Sequence, residues 1–226
     1  MPAPSDASLS IEVPEHGSVS ARCLTPRGAR AGYVLAHGAG AGMDHPLLRA
    51  VAAELAAAGI ATLRFQFPYL ERGARRVDAP PVCHATVRAA VACAAEQWPS
   101  LPLFAGGRSF GGRMSSQAQA LAPLPGVLGL AFLGFPLHPA GRPGAQRAAH
   151  LAQVQLPMLF IQGERDTLAS AAWLVPMLQQ LGARATLEWV PRADHGFHTS
   201  PRTGRTDAEL RTVWLGALVR WMDGLR

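Results

Sequence analysis

The sequence contains no lysine, so the 21 side chains counted as lysine plus arginine are all arginines. A Walker-type phosphate loop needs a lysine to reach its phosphates, and a pyridoxal-phosphate enzyme needs one for its Schiff base. Both chemistries are therefore excluded. The net charge of +6 comes from scattered arginines with one local cluster (Arg72, Arg75, Arg76), and aromatic residues are only 7% of the chain. This composition favours a basic solvated surface over a nucleic-acid-binding protein.

Cysteine is scarce, and long apolar runs are absent. The three cysteines, Cys23, Cys83 and Cys93, are an odd and unpatterned set, which favours a reducing cytoplasm over a disulfide framework. The longest apolar runs, such as residues 127–135, fall short of the roughly 20 residues that a bilayer span needs. The first ten residues have neither the basic start nor the apolar core of a secretory signal. We therefore expect a cytoplasmic protein with no membrane partner.

The chain contains enough apolar residues to form the core of one domain. Hydrophobic residues make up 49% of its 226 residues and charged residues only 16%. We predict a flexible N-terminal tail at residues 1–7 and a single domain over residues 8–226. The domain opens with two alternating segments, SLSIEV and SVSARCLTP, joined by a turn at residues 14–17. This pattern predicts an antiparallel hairpin at a sheet edge.

Beyond the hairpin, short apolar runs alternate with amphipathic segments. The alternation implies right-handed β-α-β crossovers and a mostly parallel twisted sheet with helices on both faces. Ligands of such a sheet bind at the carboxyl ends of its strands. The predicted strands are residues 32–36, 60–67, 101–107, 126–135, 157–163 and 185–190, and the predicted helices are residues 45–59, 79–98, 111–122, 173–182 and about 205–222.

Ser109 lies at one of these strand ends, in the stretch GRSFG. A Gly-x-Ser-x-Gly sequence forms a sharp strand-to-helix turn in which the glycines allow close backbone approach and the serine hydroxyl is exposed. A strand pattern precedes Ser109 and a helical pattern follows it, so the helix dipole would favour negative charge on the oxygen. Ser109 is therefore predicted to be a nucleophile. The alternative is an ordinary helix-capping serine.

A serine hydroxyl needs a base, and His195 is the candidate. It follows the strand ATLEWV directly and so lies on a loop at the same carboxyl edge as Ser109. His198 is the nearest rival, but it lies further from the strand end.

The base in turn needs an orienting acid, and Asp166 follows the apolar strand PMLFIQG in the run GERD. Glu164 would replace it if the turn were tighter, and Asp194 adjoins the histidine in sequence. A further alternative for Asp166 is a helix cap. The predicted chain order of the three groups is Ser109, Asp166, His195.

Two backbone N–H groups are predicted to receive an oxyanion. One is that of Phe110, directly after the nucleophile. The other is that of Ala39, with Gly40 second, in the loop HGAG after the strand GYVLA. The imidazole of His37 is expected to brace this loop rather than to take part in catalysis.

These segments together resemble an α/β-hydrolase: HGAG, GRSFG, QGERD and ADHGF each follow a strand, and the strand and helix rhythm extends the likeness over nearly the whole chain. The resemblance implies an eight-stranded hydrolase sheet with Ser109, Asp166 and His195 as a catalytic triad. It also implies a serine hydrolase that cleaves an ester or thioester of a small substrate without a cofactor.

The pairing of LAHGAG with GGRSFGGRMSS is similar to a small branch related to dienelactone hydrolases. This branch also includes a testis-expressed protein and a subunit of the non-specific-lethal acetyltransferase complex. Dienelactone hydrolases use cysteine where this chain has Ser109, so the resemblance does not imply lactone hydrolysis. Because at least one member of the branch acts as a scaffold, a non-catalytic interaction scaffold is the alternative to an enzyme.

The surroundings of Ser109 predict an open site. Residues 136–156 span about 20 residues, enough for a turn or short helix but not for a cap domain. The loop after the strand ATLRFQF offers Phe67 and Tyr69 as an apolar wall.

Arginines near the site, including Arg108 and Arg113, would attract an acidic group of a substrate. The alternative is that arginines of this region tie down loops through carboxylates such as Glu71 and Asp78.

The spacing of the residues does not fit two other kinds of site, a dinucleotide-binding loop and a metal site. HGAGAG resembles a dinucleotide fingerprint, but Met43 or His45 stands where the third glycine belongs. His195, His198 and Asp194 lie close in sequence, but no HExxH motif or cysteine pair completes a metal site. We therefore expect neither a nicotinamide cofactor nor a metal.

Overall fold

Eight strands form one sheet in the computed structural model of the chain, which describes residues 6–200 and 204–226. In chain order they are β1 (Ala7–Val13), β2 (Gly17–Leu24), β3 (Ala31–Ala36), β4 (Ile60–Phe65), β5 (Leu103–Arg108), β6 (Val127–Leu133), β7 (Met158–Gly163) and β8 (Ala185–Val190). Across the sheet the order is β1-β2-β4-β3-β5-β6-β7-β8. The pairs β1/β2 and β2/β4 are antiparallel, and the others are parallel. The predicted parallel sheet with an N-terminal hairpin at its edge is confirmed.

Six helices of the described residues surround the sheet, and three of them begin at a proline, the residue favoured at the first helical position because its missing N–H is not needed there. They are α1 (Pro46–Ala57), α2 (Pro68–Glu71), α3 (Pro80–Gln97), α4 (Phe110–Leu121), α5 (Ala171–Leu181) and α6 (Asp207–Asp223). The short helix α2 was not predicted. Residues 136–156 contain a 3₁₀ segment, Gln146–Gln153, in keeping with the short helix that the length allowed. Within the described ranges, no helix has both the length and the apolar character to cross a membrane.

The core lies on both faces of the sheet. Neighbouring residues of one strand point to opposite sides, so Phe132 of β6 packs in the cluster under α3, α4 and α5, whereas Leu133 packs in the cluster under α1 and α6. Strands β3, β4 and β7 are buried along their whole length. This two-sided burial explains why the central strands are continuous apolar runs rather than alternating ones.

The N-terminal boundary lies earlier than predicted. β1 begins at Ala7, which pairs with Cys23 of β2, and Asp6 forms an ion pair with the buried guanidinium of Arg64. The predicted tail at residues 1–7 is therefore wrong for these last two residues, because strand pairing and a buried charge hold them. Residues 1–5 lie outside the described part of the chain.

Candidate active site

Ser109 occupies the turn between β5 and α4. Its backbone has φ 48° and ψ −111°, a left-handed conformation that a side chain rarely adopts and that stores strain. Its N–H donates to the carbonyl of Leu133 at 3.1 Å, which fixes the turn against the end of β6. The side chain makes no capping hydrogen bond to α4, so the alternative of a helix-capping serine is wrong.

The glycines that flank Ser109 are required by the closeness of neighbouring backbone. A Cβ on Gly107 would lie 2.2 Å from the carbonyl oxygen of Ala36, and one on Gly111 would lie 2.5 Å from that of His37. The predicted close backbone approach at this turn is confirmed.

Gly111→Ala should lower the free energy of unfolding by about 2 kcal/mol, because the new methyl group meets backbone that cannot rotate away and overpacking of this kind costs about 1–3 kcal/mol. The matched control is Gly216→Ala in α6, where the nearest atom is the flexible Nη1 of Arg220 at 3.3 Å. That change should be neutral or stabilising, since alanine is the better helix former. Urea unfolding measures both, and a Gly111→Ala protein as stable as the parent would contradict this account.

The loop after β8 brings His195 to the serine. Its Nε2 lies 2.9 Å from Oγ of Ser109, and its Nδ1 lies 2.6 Å from Oδ2 of Asp166. A carboxylate accepts hydrogen bonds only, so Nδ1 carries the proton toward Asp166 and Nε2 is left to accept from the serine hydroxyl. The three residues predicted from separate parts of the sequence therefore form one hydrogen-bonded row.

The rival histidine is not part of this row. Nδ1 of His198 lies 2.8 Å from Oδ2 of Asp207 at the start of α6, and the imidazole is 74% exposed.

Asp166 is buried, and its carboxylate accepts three hydrogen bonds. Oδ2 accepts from His195 and from Nε2 of Gln162, the latter at 2.5 Å, and Oδ1 accepts from the N–H of Leu168 at 2.8 Å. Gln162 is itself buried, and its Oε1 accepts from the N–H of Phe135 at 2.9 Å. The sequence analysis missed Gln162. The signal was present, since it is the one amide in the otherwise apolar strand MLFIQG.

The two alternative acids accept hydrogen bonds from backbone N–H groups of nearby loops. Oε2 of Glu164 accepts from the N–H of Arg192 at 2.8 Å. Oδ1 of Asp194 accepts from the N–H groups of Gly196 and His198 at 2.7 and 2.9 Å. Both carboxylates therefore shape the turns around the histidine instead of contacting its ring.

Arg108, directly before the nucleophile, holds the loop of the base. Its guanidinium donates to the carbonyl of His195 and, at 3.3 Å, to that of Leu133, and it lies over the ring of Phe197. Nη1 is also 3.2 Å from Nε2 of His195. Burial lowers the pKa of Arg108 to about 10, so the side chain stays charged at neutral pH. Two of its donors bind the carbonyls of His195 and Leu133, and its role in substrate binding stays a prediction.

Comparison with known proteins agrees with this fold. A family model described as an alpha/beta hydrolase domain matches residues 29–223. The chain belongs to the α/β-hydrolase family. A dienelactone hydrolase from Anabaena variabilis ATCC 29413 is 23% identical over 100% of both chains, with a TM-score of 0.78. A lidless α/β serine hydrolase from Xanthomonas campestris is 23% identical over 98% of this chain and 96% of that one, with a TM-score of 0.75. At this level of identity the structures share a fold.

In this α/β-hydrolase the loop after β3 lies against the serine turn. A Cβ on Gly38 would lie 3.8 Å from Cβ of Ser109. Within residues 6–200 and 204–226, no acceptor is found for the N–H groups of Phe110 and Ala39, the two predicted oxyanion donors. The N–H of Gly40, the second candidate, donates to Oη of Tyr69 at 3.2 Å. The hydrolase therefore keeps the two preferred donors available and uses the third in its own structure.

His37 braces this loop, as expected. Its Nε2 accepts from the N–H of Phe67 at 3.1 Å, which leaves the proton on Nδ1 to be donated to the carbonyl of Gly38 at 2.8 Å. Burial lowers the pKa of His37 to about 4, so the imidazole is neutral near pH 7.

Phe67 and Tyr69 do not form a wall of the site. Both are fully buried, and the ring of Phe67 packs against those of Phe65 and Phe110. The prediction was wrong because α2 turns this segment inward, beneath the loop of Ala39. The two aromatic residues support the oxyanion loop from below and are not free to contact a ligand.

One arginine of the same region pairs with a carboxylate, as the alternative interpretation predicted. Arg72 pairs with Asp78 at 2.5 Å, and Glu71 accepts from the N–H and hydroxyl of Ser20 at 3.0 and 2.7 Å. These contacts tie α2 and the start of α3 to the hairpin.

Proposed function

We propose that this α/β-hydrolase is a serine hydrolase that cleaves an ester or thioester of a small substrate through an acyl-enzyme. The observation that supports the proposal most is the hydrogen-bonded row of Ser109, His195 and Asp166, with distances of 2.9 and 2.6 Å. A scaffold has no physical need for a strained serine aligned with an imidazole and a buried carboxylate.

In this mechanism, Oγ of Ser109 attacks the carbonyl carbon while Nε2 of His195 takes the hydroxyl proton. Asp166 keeps the imidazole in the required tautomer and stabilises its cation. The proton passes from His195 to the leaving alcohol or thiol as the bond to the leaving group breaks. Water, deprotonated by the same imidazole, then attacks the acyl-serine and releases the acid.

The developing oxyanion would be received by the N–H groups of Phe110 and Ala39. Phe110 begins α4, so its N–H lies at the positive end of the helix dipole, and neither donor has to leave an existing partner in the described structure.

Access to the site is consistent with a small substrate and no closing domain. Only residues 134–157 connect β6 to β7, and their helical part is the 3₁₀ segment Gln146–Gln153. The side chain of His195 is 24% exposed, so solvent and substrate can reach the base.

Labelling with a fluorophosphonate probe tests the proposal directly. The phosphonyl adduct should form on Ser109 and be located there by mass spectrometry, because its hydroxyl lies 2.9 Å from Nε2 of His195, an imidazole that is held by the buried carboxylate of Asp166. Ser115 lies in the same helix and donates to the carbonyl of Gly106 at 3.0 Å, so it serves as an internal control that should stay unlabelled. A protein that takes up no probe at Ser109 would favour the scaffold alternative. A panel of esters and thioesters of increasing chain length would then define the leaving group.

A further inference from the structure

Arg113 has no ion-pair partner in the described part of the chain. It lies one turn after the serine on α4, where its backbone N–H donates to the carbonyl of Ser109 at 3.1 Å. Its guanidinium lies over the ring of Phe110, 5.6 Å from the centroid. Nε is buried and has no hydrogen-bond partner, and among residues 6–200 and 204–226 no carboxylate pairs with this side chain.

A second arginine faces Arg113 from the 3₁₀ segment. Oγ of Ser116 on α4 lies 2.8 Å from Nε2 of His150, which holds the 3₁₀ segment against α4 at this point. Arg113 precedes Ser116 by three residues and Arg147 precedes His150 by three, and a spacing of three keeps side chains on one face of either kind of helix. If the two helices run in the same direction, this spacing brings Arg147 to the side of Arg113, on the part of α4 nearer to Ser109.

Neither of these two arginines has a carboxylate partner among the described residues. Arg147 donates from Nη1 to the carbonyl of His138 at 3.3 Å, and it too lacks an ion pair among the described residues. Burial, and then the charge of Arg147, lower the pKa of Arg113. Asp78, two residues before α3, pairs with Arg72 through Oδ1. Two partly buried guanidinium groups that repel each other are stabilised when an anion binds between them.

We infer that Arg113 and Arg147 form a carboxylate subsite beside Ser109, so that the substrate is an ester or thioester whose acyl chain ends in an acid group. This inference rests on the proposed function and adds the substrate class to it. A planar guanidinium presents paired N–H donors that match the two oxygens of a carboxylate. Arg113 lies one helical turn after the serine, so a short dicarboxylic acyl group such as glutaryl is the first substrate to test.

The test compares two esters of equal chain length, the mono-p-nitrophenyl ester of glutarate and p-nitrophenyl valerate. The parent protein should prefer the glutarate ester in kcat/KM at low ionic strength, and salt should reduce the preference. Arg113→Met and Arg147→Met keep the apolar stem and remove the charge, and each should reduce the ratio of the two kcat/KM values about tenfold or more. The control is Arg27→Met, an exposed arginine in the turn after β2, which should leave the ratio unchanged.

A binding measurement separates the subsite from catalysis. Free glutarate should raise the Tm of the parent and of Ser109→Ala, because a ligand stabilises the state that binds it, and should raise the Tm of Arg113→Met less. Equal preference for the two esters in the parent, or an unchanged ratio in both methionine variants, would overturn the subsite while leaving the triad in place. Loss of hydrolysis of both esters with a glutarate-dependent Tm intact would instead contradict the proposed function alone.

Discussion

Ser109→Ala should reduce turnover of an ester substrate by at least about 10³-fold, the usual scale for removal of a triad nucleophile. The change removes one oxygen from a partly exposed position and leaves the turn, the glycines and the Leu133 hydrogen bond in place. It leaves the packing around the turn unchanged, so the free energy of unfolding should change little. Steady-state kinetics with p-nitrophenyl esters and a urea unfolding curve measure the two effects separately.

Ser115→Ala is the matched control for this variant. Ser115 is of the same residue type on the same helix, but its hydroxyl is bound to the carbonyl of Gly106 and does not contact His195. The control should lose stability, by about 1 kcal/mol for one buried hydrogen bond, and keep its activity. If Ser109→Ala retained the parent rate, the assigned nucleophile would be wrong.

Asp166→Asn should reduce kcat by about 10³- to 10⁴-fold, because the amide reverses the tautomer of the base. Oδ1 of Asp166 accepts from the N–H of Leu168, so the oxygen of an asparagine would be held there and its NH₂ group would face His195. Gln162 cannot turn to compensate without giving up its contact with the N–H of Phe135. Nδ1 of the histidine would then become the acceptor, and Nε2 would carry the proton and no longer accept from Ser109.

Asp194→Asn distinguishes this effect from a general loss of carboxylate near the base. An asparagine at this position can still accept from the N–H groups of Gly196 and His198, so the turn should persist and the rate should stay within a few-fold of the parent. Kinetics of both variants on one ester, with circular dichroism to check folding, provide the comparison. An Asp166→Asn enzyme with near-normal kcat would show that the carboxylate does not set the tautomer.

The residues of the row were predictable from the sequence because their positions follow from topology. Ser109, Asp166 and His195 each lie within five residues of the end of a strand, and parallel strands bring their carboxyl ends to one edge of the sheet. A strand of six buried residues is a strong local signal, so the sheet and its long helices were predicted with boundaries within a few residues.

The walls of the site were not predictable in the same way. Apolar side chains of a loop, such as Phe67 and Tyr69, satisfy a sequence pattern equally well above or below the backbone, and it is the turn into α2 that buries them. Arg108 has a long side chain whose direction depends on carbonyls 25 and 87 residues away. Such contacts between distant segments leave no local periodicity.

The bond from Arg108 to the carbonyl of His195 has a consequence for how this scaffold tolerates change. The residue directly before the nucleophile holds the backbone of the base, so the two reacting groups are linked by a short path that avoids the edge strand β8. Changes at the outer edge of β8 should therefore leave the hydroxyl and the imidazole at the same distance from each other. This edge of the sheet is a good position for altering the surface of the protein while the reacting groups stay in place.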